Sequence, residues 1–518
     1  MSKFKIMKIA LASLLVVGLL AVGCPTPEPV ERLTIAQGTD ALTMDPHFIV
    51  DSPTASVLEH MYETLVELTV DGELVPGLAT GWEVTEGATV FTLTIREGVQ
   101  FHDGEPLNAA AVKANLDRRL DSEAGTEMMF LVAQIAEVNV LGDYTVEIKT
   151  TEPFAPMLNH LSHSNNAMVS PAALNVSWDE PVTTPVGTGP FEFKSRVPGD
   201  RLTMVRNDDY WGTAPQLEEI VWRVIPDDAS RVIALETGEV DVIVRVPPLD
   251  IPRLEADADI DVEIAPSVRT IFLGFNVREA PLNNQDVRQA LNYAVDKEAI
   301  VENILGGVGR VSDAPISPGI FGYDSIMTYG YNATLAEEML DDAGYPRDGG
   351  GTRFAIELSP AVGRYYMDVE VAQAAAADLE AIGIDVTLNT MDWGTYITWI
   401  LATPEEAEVY QLGWGCITVD ADYGLFPMFH SEEVRPAGFN LGAYNNTAVD
   451  AFLETGRTTA DPALREAAYK DAMEIIMDEA PWLFLHSESQ VVASATYVKG
   501  LLVHVTERLL AHNAWLDN

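Results

Sequence analysis

The cysteines constrain most strongly how this chain of 518 residues can be stabilised, because the chain contains only Cys24 and Cys416. Cys24 directly follows an uncharged run of 15 residues, Ile9–Gly23, and a lysine-rich segment precedes that run. The run is shorter than the roughly 20 residues that a membrane-spanning helix needs, and it is typical of a signal peptide. We therefore expect residues 1–23 to be a lipoprotein signal peptide and Cys24 to carry lipid after cleavage.

Lipidation of Cys24 would leave Cys416 without a partner. The exported chain would then have no disulfide, and its stability would come from its hydrophobic core alone. Residues 24–30 include three prolines and are expected to form a stiff, extended tether. The alternative is an ordinary secretory signal in which Cys24 is unmodified. We expect an extracytoplasmic protein that only a lipid anchors to the cell membrane, in the periplasm or at the outer face of the cytoplasmic membrane.

The charge balance excludes nucleic acid as a partner. Asp and Glu number 79 against 31 Lys and Arg, which gives a formal net charge of −48. A polyanion is bound by neutralising its phosphates with Lys and Arg, and we find no basic stripe that could do so. With 47% apolar residues and 21% charged residues, the chain is typical of a globular protein with several domains.

The order of the predicted elements indicates an α/β body. Alternating apolar residues predict strands at Arg32–Ala36, Val90–Ile95 and Tyr144–Ile148 in the first half of the chain. In the second half, an alanine-rich helix at Val369–Ile382 is followed by a strand at Ile384–Leu388. This rhythm is typical of βαβ units, so the second half is predicted to be an α/β lobe and the first half a more β-rich one.

No linker rich in Gly, Ser or Pro interrupts the body, so its domains are expected to pack closely. Asp286 is predicted to open an amphipathic helix, Val287–Val295. A second helix is predicted to run from Asp296 towards Leu305 and to stop at Gly306, where a left-handed backbone costs little.

Six segments of the body, taken in their order along the chain, form a pattern that can be compared with known families. They are GELVPGLATGWEV (72–84), FTLTIREGVQFHDGEPLNAAAV (91–112), PVGTGPFEF (185–193), RNDDYWG (206–212), IPDDASRVIALETGEVDVI (225–243) and VRQALNYAVDKEAIV (287–301). Together they resemble the extracytoplasmic solute-binding proteins of the dipeptide, oligopeptide and nickel ABC transporter family. The similarity extends from about residue 32 to the C-terminus.

The resemblance implies an α/β, two-lobed periplasmic-binding-protein type II fold with mixed sheets, in which an extra β-rich subdomain enlarges the first lobe. Lobe I would comprise residues 30–276 and 491–518, and lobe II residues 277–490, with the two chain crossings as the hinge. The implied function is that of a receptor and not of an enzyme. It would capture a peptide or peptide-like solute between closing lobes and deliver it to the permease and ATPase subunits of an ABC importer.

A monomer without a cofactor is expected. Two alternatives stay open within the same fold. One is a binder of nickel, of another metal chelate or of an oligosaccharide, and the other is a surface lipoprotein that acts as a sensor. His160 and His163 have the helical spacing that could share a metal, as the nickel-binding branch of the family would require.

The segment from Trp414 to Tyr423 carries the main ligand-binding prediction. In peptide-binding relatives, a tryptophan precedes a small residue and an Asp, and that Asp meets the α-ammonium group of the peptide; Asp422 matches this Asp. An ammonium withdrawn from water needs a carboxylate, and a nearby aromatic face adds cation–π attraction. We therefore expect Trp414, Asp420, Asp422 and Tyr423 to contact ligand, in a pattern similar to the glutathione-binding branch. The alternative is that Asp422 caps a helix that starts near Leu425.

Three further residues complete the predicted site. Arg364 lies in a loop after a predicted strand, and such loops face the crevice of α/β lobes, so its guanidinium could reach a ligand carboxylate or form a surface salt bridge. Trp393, Tyr396 and Trp399 share one face of a predicted helix, and Trp393 is assigned to the pocket. Thr39 lies where relatives bring the first lobe to the cleft.

The sequence contains none of the common catalytic or nucleotide-binding motifs that we searched for. The patterns GxSxG, HExxH, GxxxxGK[ST] and CxxC are all missing from it. Gly187 and Gly189 are predicted to form a turn and not a phosphate loop, and His102 is predicted to belong to a structural corner. Cys416 has no histidine nearby in sequence that could activate a thiol.

Overall fold

The computed structural model describes residues 31–85, 87–121, 128–174 and 182–517. The predicted signal peptide (1–23), the predicted tether (24–30) and the predicted lipidation site Cys24 lie outside the described residues. Within the described ranges, no helix combines the length and the apolarity that crossing a membrane requires.

The helices of the described residues are mostly short, and the longest has 18 residues. They are α1 (Ser52–Leu58), α2 (Ala109–Leu120), α3 (Met157–Leu161), α4 (Asp228–Glu236), α5 (Ile251–Glu255), α6 (Gln285–Ala294), α7 (Lys297–Ala299), α8 (Ala333–Asp342), α9 (Asp368–Ala381), α10 (Trp393–Ala402), α11 (Ala421–Phe429), α12 (Thr447–Thr458) and α13 (Pro462–Glu479). A π-helical turn, Ile300–Ile304, continues α7.

The strands range from two-residue bridging pairs to two strands that are more than twice the usual length. They are β1 (Arg32–Gln37), β2 (Val66–Leu68), β3 (Leu74–Pro76), β4 (Ala79–Thr85), β5 (Val90–Ile95), β6 (Ile135–Gly142), β7 (Thr145–Thr150), β8 (Phe191–Val197), β9 (Arg201–Arg206), β10 (Glu219–Val224), β11 (Val242–Val244), β12 (Ile260–Phe275), β13 (Arg310–Val311), β14 (Phe354–Ser359), β15 (Ala361–Val362), β16 (Ile384–Leu388), β17 (Met391–Asp392), β18 (Val409–Gly415), β19 (Trp482–Ala495), β20 (Val498–Lys499), β21 (Leu502–Val503), β22 (Leu509–Leu510) and β23 (Trp515–Leu516).

The largest sheet has eleven strands in the order β16, β14, β18, β12, β19, β11, β1, β10, β9 and β8, with β13 pairing to β19 outside this path. It is mixed: β1 pairs in parallel with both β10 and β11, whereas β12 pairs antiparallel with both β18 and β19. The sheet therefore runs through both halves of the chain.

The two longest strands, β12 and β19, lie side by side at the centre of this sheet. Ile260–Pro266 pairs with Ser489–Ala495, and Thr270–Gly274 pairs with Trp482–Ser487. The register shifts between Pro266 and Thr270, and an irregularity of this kind bends a strand. The two strands thus connect the halves of the molecule through a short interrupted stretch.

The predicted βαβ rhythm of the second half is confirmed. β14 and β16 pair in parallel, from Phe354 opposite Ile384 to Leu358 opposite Leu388, and α9 connects them. Val371, Ala375 and Leu379 of α9 are buried against the sheet. These positions are four residues apart, so they share the helix face that packs on the strands.

Two expected helix starts lie two and four residues too late, for the same physical reason. Asn284, and not Asp286, caps α6, because the Asn284 side chain accepts a hydrogen bond from the Asp286 N–H at 2.9 Å. Likewise, α11 begins at Ala421 and not near Leu425, and Asp420 caps it by accepting from the Asp422 N–H at 3.0 Å. In both cases the true cap is the polar residue two positions before the predicted one, and it satisfies a free N–H of the first turn.

The four-stranded sheet β4, β5, β7 and β6 forms a separate layer in the first half and has its own core, which includes Phe91, Leu93 and Leu116. A second core packs β1 against the C-terminal segment. The cores of the second half are larger, and one of them takes in Met128 and Leu131 from the first half. The two halves of the chain therefore touch through buried side chains next to the cavity described below.

Candidate functional site

A cavity of about 460 Å³ lies where the two halves of the chain meet. This volume falls within the range of about 300–1,000 Å³ that is usual for small-molecule sites. Of the residues predicted from sequence, Trp414, Tyr423, Arg364 and Trp393 line this cavity. The other three, Thr39, Asp420 and Asp422, are not part of its wall.

Several elements converge on the cavity. The first half contributes the segment Ile49–Ser52 at the start of α1, and the C-terminal segment contributes Thr506 and Arg508. From the second half come the end of β18 (Leu412–Gly415) and the apolar face of α10. β18 pairs with β14 only at Val409 and Tyr410, so in the described residues its last part has β12 on one side and the cavity on the other.

An aromatic cluster forms one wall. The rings of Trp414 and Tyr423 stack at 5.4 Å and 24°, and Phe439 lies 5.0 Å from Trp414. His163 stacks on Tyr423 at 5.7 Å, and burial lowers the pKa of His163 to about 3, so this ring is neutral. The indole Nε1 of Trp414 donates to the Tyr423 carbonyl at 2.9 Å, which fixes the ring in the cavity wall.

Arg269 and Glu507 form a rigid ion pair at the base of the cavity. The Nε and Nη2 atoms of Arg269 each donate to a Glu507 oxygen at 2.6 Å, and its Nη1 donates to the Gly413 carbonyl at 3.0 Å. Burial acts to raise the pKa of Glu507, but the charge of Arg269 outweighs it and lowers this pKa to about 2. Arg269 is therefore neutralised by its own protein partner.

Arg364 differs from Arg269 because its charge has no such partner. The residue is 8% exposed, and its Nε has no hydrogen-bond partner in the part of the chain that the structure describes. Its guanidinium carbon lies 5.1 Å from the ring centre of Tyr365 and 5.4 Å from that of Trp393. Burial, and then the positive charge of Arg269, lower the pKa of Arg364, and the negative charge of Glu507 does not offset these two effects.

The backbone around Arg364 is held in place even though its side chain is not. The Asp368 carboxylate accepts from the N–H groups of Arg364 at 2.8 Å and Tyr365 at 3.1 Å. The Arg364 carbonyl accepts a hydrogen bond from the Arg245 guanidinium. The loop therefore presents the Arg364 side chain to the cavity from a fixed backbone, which is the preorganisation that a binding residue requires.

The structure gives the Asp422 carboxylate two partners of its own. It lies 3.1 Å from Nε of Arg457 and 3.2 Å from Nε2 of His160, and it is fully buried. Burial acts to raise the pKa of Asp422, but the charge of Arg457 and the contact with His160 lower it to about 2. The predicted contact of Asp422 with a ligand stays a prediction, and the geometry gives this carboxylate the role of an internal counter-ion.

Asp420 likewise has protein partners for its carboxylate. Besides capping α11, its two carboxylate oxygens each lie 2.8 Å from Nη2 of Arg465. Both acidic residues of the predicted motif thus bind arginines of α12 and α13. Thr39 lies outside the cavity, and its carbonyl accepts from the Gln37 side chain at 2.8 Å. Of the three aromatic residues on α10, Trp393 lines the cavity and Tyr396 is completely buried in the core.

The residues considered for other chemistry have structural partners. The Cys416 thiol is buried and lies 3.0 Å from the Asp420 carbonyl, and burial raises its pKa well above the usual value. His102 lies within hydrogen-bond distance of the Gly189 carbonyl, at 3.0 Å, and accepts from the Gly187 N–H. Across the described ranges, no three His, Cys, Asp or Glu side chains are grouped as a metal ion would require.

Sequence reasoning missed four charged residues of the cavity wall: Asp51, Arg269, Arg435 and Arg508. Arg269 lies on β12 and lines the cavity, within the stretch between Pro266 and Thr270 where the register of the pairing with β19 shifts. No local pattern marks such a position. For Asp51 a signal existed, because an Asp before Ser52-Pro53 is typical of a helix N-cap, and Asp51 does cap α1.

Comparison with known proteins places these observations in context. The family model for bacterial extracellular solute-binding proteins, family 5, middle region, matches residues 73–435. The glutathione-binding protein GsiB of Escherichia coli K12 is 31% identical over 475 residues, which are 91% of this chain and 92% of that protein.

Two solved structures extend the comparison. The periplasmic binding protein DppA from Helicobacter pylori, in complex with the peptide STSA, aligns with a TM-score of 0.84 and 28% identity, over 94% of this chain and 98% of its own. NikA from Brucella suis, in complex with Fe(III)-EDTA, aligns with a TM-score of 0.84 and 27% identity, over 94% of this chain and 99% of its own.

Proposed function

We propose, because this chain belongs to the bacterial extracellular solute-binding proteins of family 5, that it is the receptor of an ABC importer for a peptide or a peptide-like solute. The family membership and the two-lobed type II fold that were predicted from sequence are confirmed. Members of this family are substrate-binding receptors and not enzymes, so this chain is not an enzyme. Glutathione and the peptide STSA are ligands of its relatives, and both are small molecules with a carboxylate.

The single observation that carries the proposal is Arg364, a buried guanidinium in the wall of the cavity that forms no ion pair with any carboxylate of the described residues. A buried cation without a counter-ion destabilises a protein unless a ligand supplies the missing charge. The planar fork of a guanidinium matches a carboxylate through two parallel hydrogen bonds. We therefore assign Arg364 to the carboxylate of the solute.

The remaining walls suit the body of such a solute. Trp393, Trp414 and Tyr423 offer ring faces, while Ile417 and Leu412 offer aliphatic surface. Burial of these contacts supplies affinity, and the charged group fixes the orientation of the solute. The cavity volume of about 460 Å³ favours a solute of the size of a short peptide.

Capture is proposed to involve closure of the two lobes around the strands β12 and β19. The cavity wall includes residues from both halves of the chain, so a bound solute contacts both. A ligand shifts an equilibrium between open and closed forms by its differential affinity for the two forms, and contacts with both lobes exist only in the closed form. A lipid anchor at Cys24, together with permease and ATPase subunits as partners, completes the proposed assembly.

Thermal unfolding of the protein against a ligand panel tests the proposal. The panel contains dipeptides to pentapeptides, glutathione, an oligosaccharide and nickel with histidine. A solute at a hundred times its Kd should add about 2.7 kcal/mol of stability, which gives a visible increase in Tm. We expect an increase with a peptide-class solute and its loss in Arg364→Gln. The matched control is Arg201→Gln, which replaces an exposed arginine that does not line the cavity.

Other outcomes would redirect the assignment. An increase in Tm with the oligosaccharide or the nickel complex alone would keep the transport role and overturn the peptide-like ligand class. Loss of the increase in Asp422→Asn, but not in Arg364→Gln, would restore the contact predicted from sequence.

A further inference from the structure

The charge of the cavity wall is opposite to that of the molecule. Over the whole chain the formal net charge is −48, yet the wall, as far as the structure describes it, contains four arginines and one carboxylate. Three of these arginines have protein partners: Arg269 binds Glu507, Arg508 donates to Glu59 at 2.6 Å, and Nε of Arg435 donates to the Leu401 carbonyl at 2.8 Å. Arg364 adds a positive charge that no described carboxylate neutralises through an ion pair. The cavity is therefore electropositive within a strongly acidic protein.

The two carboxylates that the sequence predicts to lie at the ligand in the segment around Trp414 are bound by arginines of the chain. Asp422 is held by Arg457 and Asp420 by Arg465, and neither lines the cavity. The wall position close to Trp414 is taken by Ile417, a half-buried apolar residue. A free α-ammonium placed against this wall would lose its hydration without gaining a counter-ion.

Among the described wall residues Asp51 is the acidic one, and its geometry commits it to α1. Its Oδ1 accepts from the Thr54 N–H at 3.2 Å as the cap of the helix. Burial raises the pKa of Asp51, because the charge of Arg364 and the contacts with Thr54 do not compensate for desolvation of the carboxylate. Asp51 is thus already used as the cap of α1, and it lies within the field of Arg364.

We infer that the solute is an apolar carboxylate without a free amine, such as an N-acylated amino acid or dipeptide. Arg364 would bind the carboxylate, and the wall of Ile417, Leu412 and Trp414 would cover the blocked end. This inference rests on the proposed function, since it concerns the same cavity, but it narrows the ligand to one chemical class. Rejection of the amine follows from the missing counter-ion and from repulsion by the arginines.

A set of four matched compounds tests the inference by isothermal titration on the full chain. They are one apolar dipeptide with a free amine, its N-acetyl form, its N-acetyl form with an amidated C-terminus, and 3-phenylpropionate. We expect the N-acetyl dipeptide to bind at least about tenfold more tightly than the free dipeptide at pH 7, and the amidated form to lose that affinity. The α-amino group loses its charge above about pH 8, so the free dipeptide should approach the N-acetyl form at pH 9.5.

The outcomes separate this inference from the proposed function. Equal or tighter binding of the free dipeptide at pH 7 would overturn the inference and keep the peptide receptor. Binding of 3-phenylpropionate without either dipeptide would support the inference and overturn the peptide-like class. If none of the four compounds binds, both the inference and the proposed function are overturned.

A pair of variants at Ile417 gives an independent readout. In Ile417→Asp, a carboxylate enters the wall, so the preference for the N-acetyl form should shrink by about tenfold or reverse. In Ile417→Asn, which has nearly the same shape without the charge, the preference should persist. A preference that Ile417→Asp leaves unchanged would show that the missing counter-ion does not set it, and would overturn the inference.

Discussion

The buried arginines of this protein differ in whether a carboxylate of the chain neutralises their charge. Arg269, Arg457 and Arg465 each bind a carboxylate of the chain, whereas Arg364 binds none of those described. The distinction matters because buried cations with partners stabilise the fold, and a buried cation without one lowers stability until a solute arrives.

Replacement of Arg364 should therefore separate stability from binding. In Arg364→Gln, the Tm of the ligand-free protein should rise by roughly 1 to 3 °C, because an uncompensated buried charge is removed. The increase in Tm on addition of solute should disappear at the same time. Differential scanning calorimetry with and without solute measures both effects, and a lower ligand-free Tm would show that Arg364 already has a stabilising partner.

Asp422 should behave in the opposite way. Asp422→Asn leaves the Arg457 charge buried and unpaired, and breaking one side of such a pair costs about 3–5 kcal/mol. The double variant Asp422→Asn with Arg457→Gln should recover part of that loss. Urea unfolding of the three variants measures the coupling, and independent, additive losses would contradict the ion pair.

Sequence patterns predict which residues lie in the cavity wall better than they predict the partners of each side chain. The motif around Trp414 was found from sequence, and Trp414 and Tyr423 do line the cavity. The partners of Asp422 could not be found in the same way, because Arg457 follows 35 residues later and His160 lies in the other half of the chain. Whether a carboxylate is free or occupied depends on contacts that only the folded chain creates.

At the scale of elements, sequence patterns were more informative. Strands β1, β5 and β16 and helices α6 and α9 were predicted with boundaries close to those observed, because alternation and helical periodicity are local properties. The pairing of β12 with both β18 and β19 was not predicted, since sheet order depends on contacts far apart in sequence. The helix caps were displaced by two residues, which is the resolution of such signals.

The segment around Gly187 shows how a motif can be structural. A Cβ atom at this position would lie 2.1 Å from the Met61 carbonyl oxygen, which is backbone and cannot move aside. Gly187→Ala should therefore lower the free energy of unfolding by about 1–3 kcal/mol. At Gly330 nothing lies within 4 Å of such a Cβ, so Gly330→Ala is the matched control. Urea unfolding compares them, and equal stability of the two variants would contradict the close approach.

At the scale of the whole molecule, charge sets the response to salt. With a net charge of −48, exposed carboxylates repel one another across the surface. The Debye length falls from about 10 Å at 0.1 M to about 3 Å at 1 M salt, so screening should relieve this repulsion. We expect Tm to rise with NaCl and to rise equally with KCl. A decrease in Tm would mean that surface ion pairs outweigh the repulsion.

Acid should unfold the protein through its histidines before its carboxylates are protonated. Burial lowers the pKa of His47, His60, His163, His486 and His504 to about 3, against an ordinary value of 6.5. A group with a depressed pKa contributes stability above its unfolded pKa and loses it as pH falls towards the folded pKa. Tm should therefore begin to fall below about pH 6.5 and continue to fall towards pH 3. A Tm that stays constant down to pH 4 would contradict the neutral, buried state of these rings.

The central claim is that a solute carboxylate binds to Arg364 in the cavity between the two halves of the chain. The most direct test is a binding cycle by isothermal titration, in which the wild type and Arg364→Gln each bind a peptide-like acid and its C-terminal amide. We expect amidation to weaken binding to the wild type by about tenfold or more, and to have little effect on binding to Arg364→Gln. An equal effect of amidation in both proteins would contradict the claim.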